Sequence, residues 1–316
     1  MRVEGLSILF FCCAVFLTLM NIYAQDDARA PAPVSAGLPP VENYRQELGK
    51  TVVPEEEFFA HDWDTRARFM PTRGANSQSG KIGITDLASE YSYDIKAFGK
   101  LPVEFGVGTR YIGIDNTTAV KLPSRLVAAA FGVETTLPFF NVDKTYLTVG
   151  ISPSFYSDGW NFRSSSFCLH QRYFLIYQQN EKLAFVAGAD YYPGRREQIQ
   201  PILGFIYKPS ERLTFNITPD NPEISYVLNK KVTLFVEADS SSDEFSVGKD
   251  TRKDVSLNYD EMHAGAGLRY NLNKYIQASF AVGGVFNRSI AYDQDSLGKV
   301  VPKDGLYTEF HFEISI

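Results

Sequence analysis

The sequence predicts an all-β protein, a transmembrane antiparallel up-and-down β-barrel of about 14 strands, with 12 as the alternative count. Three observations carry this. The last eleven residues alternate without a break: Leu306, Thr308, Phe310, Phe312, Ile314 and Ile316 share one face of a strand, and Tyr307, Glu309, His311, Glu313 and Ser315 share the other. The connections between strand-like segments are sorted into short turns and longer polar loops. The chain also opens on an export-type segment. A terminal strand of a soluble sandwich alternates as well, so the last strand decides nothing alone.

Residues 1–24 read as a signal peptide. Arg2 supplies the positive start, and Leu6 to Met20 is an apolar run of 15 residues, short of the ~20 a spanning helix needs. Ile22-Tyr23-Ala24 offers a small residue for cleavage before Gln25. The competing reading is an uncleaved anchor. Cys12 and Cys13 lie inside the apolar run after Phe10-Phe11, which does not suit a lipidation site. Cleavage leaves Cys168 alone, so no intrachain disulfide is expected. Residues 25–61 are rich in Ala and Pro and carry the acidic run Glu55-Glu56-Glu57, a composition that cannot bury enough apolar surface to fold alone. They are expected to form a disordered periplasmic segment ahead of a barrel over 62–316.

Strand signals then follow one another. Val103, Phe105, Val107, Thr109 and Tyr111 alternate with Glu104, Gly106, Gly108 and Arg110, and Val127 to Val133 repeat the pattern. Leu147 to Phe155, Met262 to Tyr270 and Ile276 to Phe286 do the same. Thirteen strands are placed near 82–97, 103–114, 125–137, 145–156, 167–178, 183–192, 199–208, 212–218, 223–229, 232–239, 254–270, 275–291 and 305–316. Bacterial single-chain barrels have an even number, so a fourteenth is placed near Trp63–Thr72. The strands over 212–218 and 223–229 are short, which suggests a kinked wall. Short turns fall at 99–102, 141–144, 180–182, 209–212, 229–231 and 271–274, and longer loops at 115–124, 157–166, 194–198, 239–254 and 293–304, with 219–222 a short member of the second set. A sandwich has no reason to sort its loops this way, and outer-membrane barrels do, with the short turns periplasmic.

The stretch from Ala189 to Tyr226 carries a family resemblance. Pro201-Ile-Leu-Gly204, Pro209-Ser-Glu211 and Pro222-Glu-Ile-Ser-Tyr226 occur in this order, with Ser152-Pro-Ser-Phe-Tyr-Ser-Asp158 upstream. In these motifs the chain resembles, over about residues 75–316, a family of bacterial outer-membrane β-barrels known only as a domain of unknown function. The resemblance implies a barrel in the bacterial outer membrane and implies no reaction. Ile316 departs from the aromatic ending common among such barrels.

The alternation assigns a polar lumen. Glu104, Arg110, Glu134, His170, Arg172 and Asp190 are expected to line it, together with Glu90 and Asp94. Glu261, His263, Arg269, Glu309, His311 and Glu313 extend the lining on later strands. The plain reading is a wall of paired or hydrated charges. The sharper one is a His/carboxylate site built from Glu261 and His263 with Glu309, His311 and Glu313, able to hold a divalent metal or polarise a serine. The i, i+2 spacing arises in any lumen-facing strand and is weak support. Gly-x-Ser-x-Gly and His-Glu-x-x-His motifs are absent from the sequence. Gly265 and Gly267 read as lumen-facing glycines that make room for bulky neighbours.

Composition sets limits. The net charge of −6 argues against nucleic acid as a partner, and a mean hydropathy of −0.17 excludes a bundle of apolar helices. Aromatics at 14% suit interfacial girdles. The sequence therefore points to a porin-like channel for small solutes or a structural barrel, not an enzyme, with no cofactor or metal. The alternatives are an outer-membrane enzyme acting on lipid or lipopolysaccharide, and a recognition barrel working through the long 239–254 loop. Expected partners are outer-membrane lipid and lipopolysaccharide, the barrel-assembly machinery and small solutes.

Overall fold

The computed structural model describes residues 61–76, 79–97, 101–139, 142–159, 164–195, 198–219, 222–249, 252–294 and 297–316. The expected signal peptide and all but the last residue of the 25–61 segment lie outside the described residues. The strands are β1 (His61–Gly74), β2 (Lys81–Ala97), β3 (Leu101–Asn116), β4 (Arg125–Pro138), β5 (Thr145–Ser157), β6 (Phe167–Asn180), β7 (Leu183–Tyr191) and β8 (Ile199–Ser210). They continue as β9 (Leu213–Ile217), β10 (Glu223–Asn229), β11 (Val232–Lys249), β12 (Arg252–Asn271), β13 (Ile276–Tyr292), β14 (Lys299–Val300) and β15 (Gly305–Ser315). β14 is a two-residue ribbon on β13; the other fourteen make the wall.

Each wall strand pairs antiparallel with its neighbours, and β1 pairs with β15 to close the barrel. Closure leaves no sheet edge, which is what lets strands cross a membrane. The register at the seam sets Asp64 opposite Glu313, Arg66 opposite His311 and Arg68 opposite Glu309. Trp63, Ala67 and Phe69 consequently share the outer face with Ile314, Phe310 and Thr308. The exposed large side chains are those the period-2 pattern turns outward, among them Trp63, Leu87, Val107, Phe131, Ile151, Leu203, Leu268 and Phe310. Trp63, Tyr177, Phe185, Tyr207 and Tyr270, all near the short-turn end, are exposed aromatics of the girdle type. Among the described residues no helix is long and apolar enough to cross a membrane. The crossing is made by strands.

The expected strand order holds, with one correction. The stretch 239–254 is not a loop, because β11 and β12 run through most of it as an 18- and 20-residue hairpin. About 9–11 residues suffice to cross a bilayer. The run Ser240-Ser241-Ser242 breaks the apolar alternation and conceals the strand, while Phe245 and Val247 are buried and fix the far end.

Inward-facing rows change character along the barrel. Toward the loop end they are aliphatic: Ile82 and Ile84 on β2, Ile112 and Ile114 on β3, Leu126 on β4, Leu257 on β12 and Ile290 on β13. These pack with Met70, Phe245, Val247 and Val300 into one core inside the barrel mouth. A smaller apolar cluster, Phe174, Ile176, Ala184, Val186 and Ile202, occupies the inner wall of β6–β8.

Candidate functional site

The interior is built in three levels. At the waist, Arg68 of β1 is 2% exposed and holds Glu309 of β15 with Nε to Oε2 at 2.6 Å. Its Nη1 lies 3.6 Å from Glu261 Oε1 and 3.3 Å from His263 Nδ1. A guanidinium only donates, so Nδ1 of His263 accepts and the ring proton sits on Nε2, which faces Asp239 at 3.5 Å. The Tyr259 hydroxyl donates to Glu261 at 2.7 Å, and the Tyr307 hydroxyl donates to Glu237 at 3.1 Å. Tyr307 lies against the wall because Gly265 has no side chain, since a Cβ there would sit 2.2 Å from the Tyr307 oxygen.

At the mouth, Arg110 of β3 forks onto Asp86 of β2, with Nε to Oδ1 at 3.0 Å and Nη2 to Oδ2 at 2.7 Å. Its remaining arm reaches Asp243 of β11 at 2.7 Å. This ties the far half of the β11–β12 hairpin to the opposite wall. Further ties are a Ser246 to Ser157 bridge on β5, a 2.9 Å contact between the Ser165 and Ser246 hydroxyls, and a hydrogen bond from Arg195 to the Glu244 carbonyl. The hairpin thus bends inward over the apolar core instead of standing outside as a loop.

Along the remaining wall the charges pair locally. Arg172 grips Asp190 through two bonds of 2.8 and 2.9 Å, and His170 Nε2 lies 3.0 Å from the same carboxylate with its ring stacked on Tyr192. Arg269 holds Glu223 at 2.7 and 3.2 Å and covers the Phe235 ring at 4.9 Å. At the short-turn end Gln277 donates to Glu313 at 2.9 Å, and His311 contacts Asp64. Glu104 is paired in register with Glu134 and Asp94, and its Oε2 is buried without a hydrogen-bond partner. Gly150 lets Glu134 lie over the wall toward Arg172, since a Cβ there would meet Glu134 Oε2 at 3.0 Å.

The charged residues singled out by alternation do not gather into one site. Glu261, His263 and Glu309 meet only through Arg68, while His311 and Glu313 turn to separate partners. Among the described residues no group of three His, Cys, Asp or Glu side chains is arranged to hold a metal, and no histidine hydrogen-bonds a serine. Cys168 is buried. Sequence reasoning missed Arg68, Asp86, Glu223 and Asp243. The alternation of Asp62, Asp64, Arg66 and Arg68 with Trp63, Thr65, Ala67 and Phe69 was a sufficient signal for the first. Asp243 gave none, because it follows three serines.

An apolar exterior around a charged, internally paired lumen defines the class, a transmembrane β-barrel of the outer-membrane type. The chain belongs to the family described as Domain of unknown function (DUF6268), whose profile matches residues 103–315. No curated protein sequence matches the chain. Similar solved structures include an outer membrane channel from Pseudomonas putida F1 (TM-score 0.46, 9% identity, 84% of this chain and 100% of that one). The Pseudomonas putida toluene transporter TodX is also similar (0.41, 8%, 91% and 96%), as is the KdgM porin (0.33, 12%, 81% and 99%). Likeness at this level says nothing about what this chain carries.

Proposed function

We propose that this protein is a porin-like channel of the bacterial outer membrane whose mouth is closed, in this conformation, by its own β11–β12 hairpin. One observation carries the reading: the hairpin is folded into the barrel and latched there by Asp243 on Arg110, with Phe245 and Val247 in the apolar core. A purely structural barrel has no need to bend its longest hairpin across its lumen. Below the latch the lumen keeps part-exposed charged groups, Glu104, Glu134, Arg172 and His311 among them, which suit a hydrated passage. Small solutes are the cargo class, and the short turns face the periplasm. Signal-peptide cleavage, delivery by the assembly machinery and contact with lipid and lipopolysaccharide belong to the same reading.

Planar-bilayer recording of the refolded protein tests it. Disrupting the latch with Arg110→Ala is expected to raise the open fraction above wild type. Replacing Ser165→Cys and Ser246→Cys together places two thiols where the hydroxyls now lie 2.9 Å apart. The oxidised double variant is expected to be silent, and reduction to restore stepwise currents. Absence of conductance in wild type and Arg110→Ala over a range of salts and voltages sinks the channel and leaves the structural barrel.

A further inference from the structure

A β-bulge near the end of β13 turns one more cation into the barrel. Asn287 has φ 53°, in the left-handed region, and the register of β13 on β12 slips between Asp260 and Met262. Before the slip the odd-numbered residues of β13 face inward; beyond it Arg288 and Ile290 are buried. Arg288 is 3% exposed. Its Nη2 donates to the Lys303 carbonyl at 2.9 Å, Nη1 lies 3.6 Å from Met70 Sδ, and Nε is buried with no partner. Arg68, Arg110, Arg172 and Arg269 each grip a carboxylate, but among the described residues Arg288 has none within ion-pairing distance. Glu261 and Asp304 act on it only from beyond pairing distance, and a buried guanidinium with unused donors and no paired counter-charge is disfavoured unless something supplies one.

A second cation stands beside it. A Cβ built on Gly305 would lie 3.5 Å from Arg288 Nη2 and 3.5 Å from Arg73 Nε, so both guanidinium groups border the space the glycine leaves open. Arg73 is exposed and forms no ion pair among the described residues. Lys303 is hydrogen-bonded through its backbone to Gly74, the residue after Arg73, and its side chain lies along that glycine. Asp304 precedes Gly305 but pairs with neither arginine.

The geometry points to an oxyanion site at the loop-end mouth, formed by Arg288 and Arg73 across Gly305, that takes a phosphate group. Two guanidinium groups facing one space match a phosphate in charge and in donor geometry. The phosphate comes either from a solute reaching the mouth or from lipopolysaccharide. As an entry site it deepens the channel reading, but binding does not require conduction.

Calorimetric titration of the full refolded barrel in zwitterionic detergent, with inorganic phosphate in one arm and lipopolysaccharide in the other, tests the site. Saturable binding is expected in at least one arm. It should weaken about tenfold in Arg288→Met and by a smaller factor in Arg73→Gln. Binding of inorganic phosphate identifies a solute site, and binding of lipopolysaccharide alone identifies a lipid-borne phosphate. No saturable binding in either arm, or binding unchanged in both variants, overturns the site. If Arg288→Met does not fold, the exposed Arg73→Gln decides by the same criterion. Phosphate binding without conductance leaves the site standing and removes the channel; conductance without binding does the reverse.

Discussion

Arg68 is the hub of the buried charge cluster, with Glu309, Glu261 and His263 all turned toward it. Removing it leaves carboxylates that are 6% and 1% exposed without their cation. Loss of one partner of a buried pair costs about 3–5 kcal/mol, because the remaining charge stays desolvated. Arg68→Ala is therefore expected to lower the unfolding free energy from urea titration of the lipid-refolded barrel by that order, with a lower midpoint, and the pair of changes Arg68→Met with Glu309→Met to recover part of it. A midpoint unchanged in Arg68→Ala would show that water already solvates the waist. Gly265 is a second residue-scale test. A methyl at this position meets the Tyr307 oxygen and the Val282 carbonyl, so Gly265→Ala is expected to cost about 1–3 kcal/mol by the same measurement.

Among the elements, the β11–β12 hairpin differs most from what its sequence suggests. Its membrane half is legible, because Leu234 and Val236 alternate with Phe235 and Glu237, and Met262 to Tyr270 repeat the pattern. Its far half is not, because Ser240 to Glu244 reads as a polar loop. What makes it a strand is pairing with β12, where Phe245 faces Leu257, and burial of Phe245 and Val247 against Ile112 and Leu126, residues far away in sequence. A charge in place of Phe245 cannot be solvated there. Phe245→Asp is expected to release the hairpin, seen as protease cleavage near 245–255 in the refolded protein while the wild type resists. Equal resistance in the two proteins would place the hairpin's hold elsewhere. Within this segment Asp243, Phe245, Ser246 and Val247 are committed to contacts at the mouth.

For the whole molecule the defining property is closure. The β1–β15 seam satisfies the last two edges, and a closed barrel in detergent resists unfolding until heated. Unheated protein should therefore migrate faster than boiled protein on a detergent gel, and a chain that never shows the shift and stays in aqueous solution contradicts the fold. The sequence by itself determined the order of strands and turns, because period-2 alternation and turn spacing are local and each strand carries its own copy of them, and the even number of strands in bacterial barrels turned thirteen strand signals into fourteen. Only the tertiary structure decided which charges meet, that Arg68 stands between Glu261, His263 and Glu309, that the long hairpin turns into the mouth, and that Arg288 is left without a carboxylate. Those outcomes depend on register between strands up to 241 residues apart and on a single bulge at Asn287, and no local pattern encodes either.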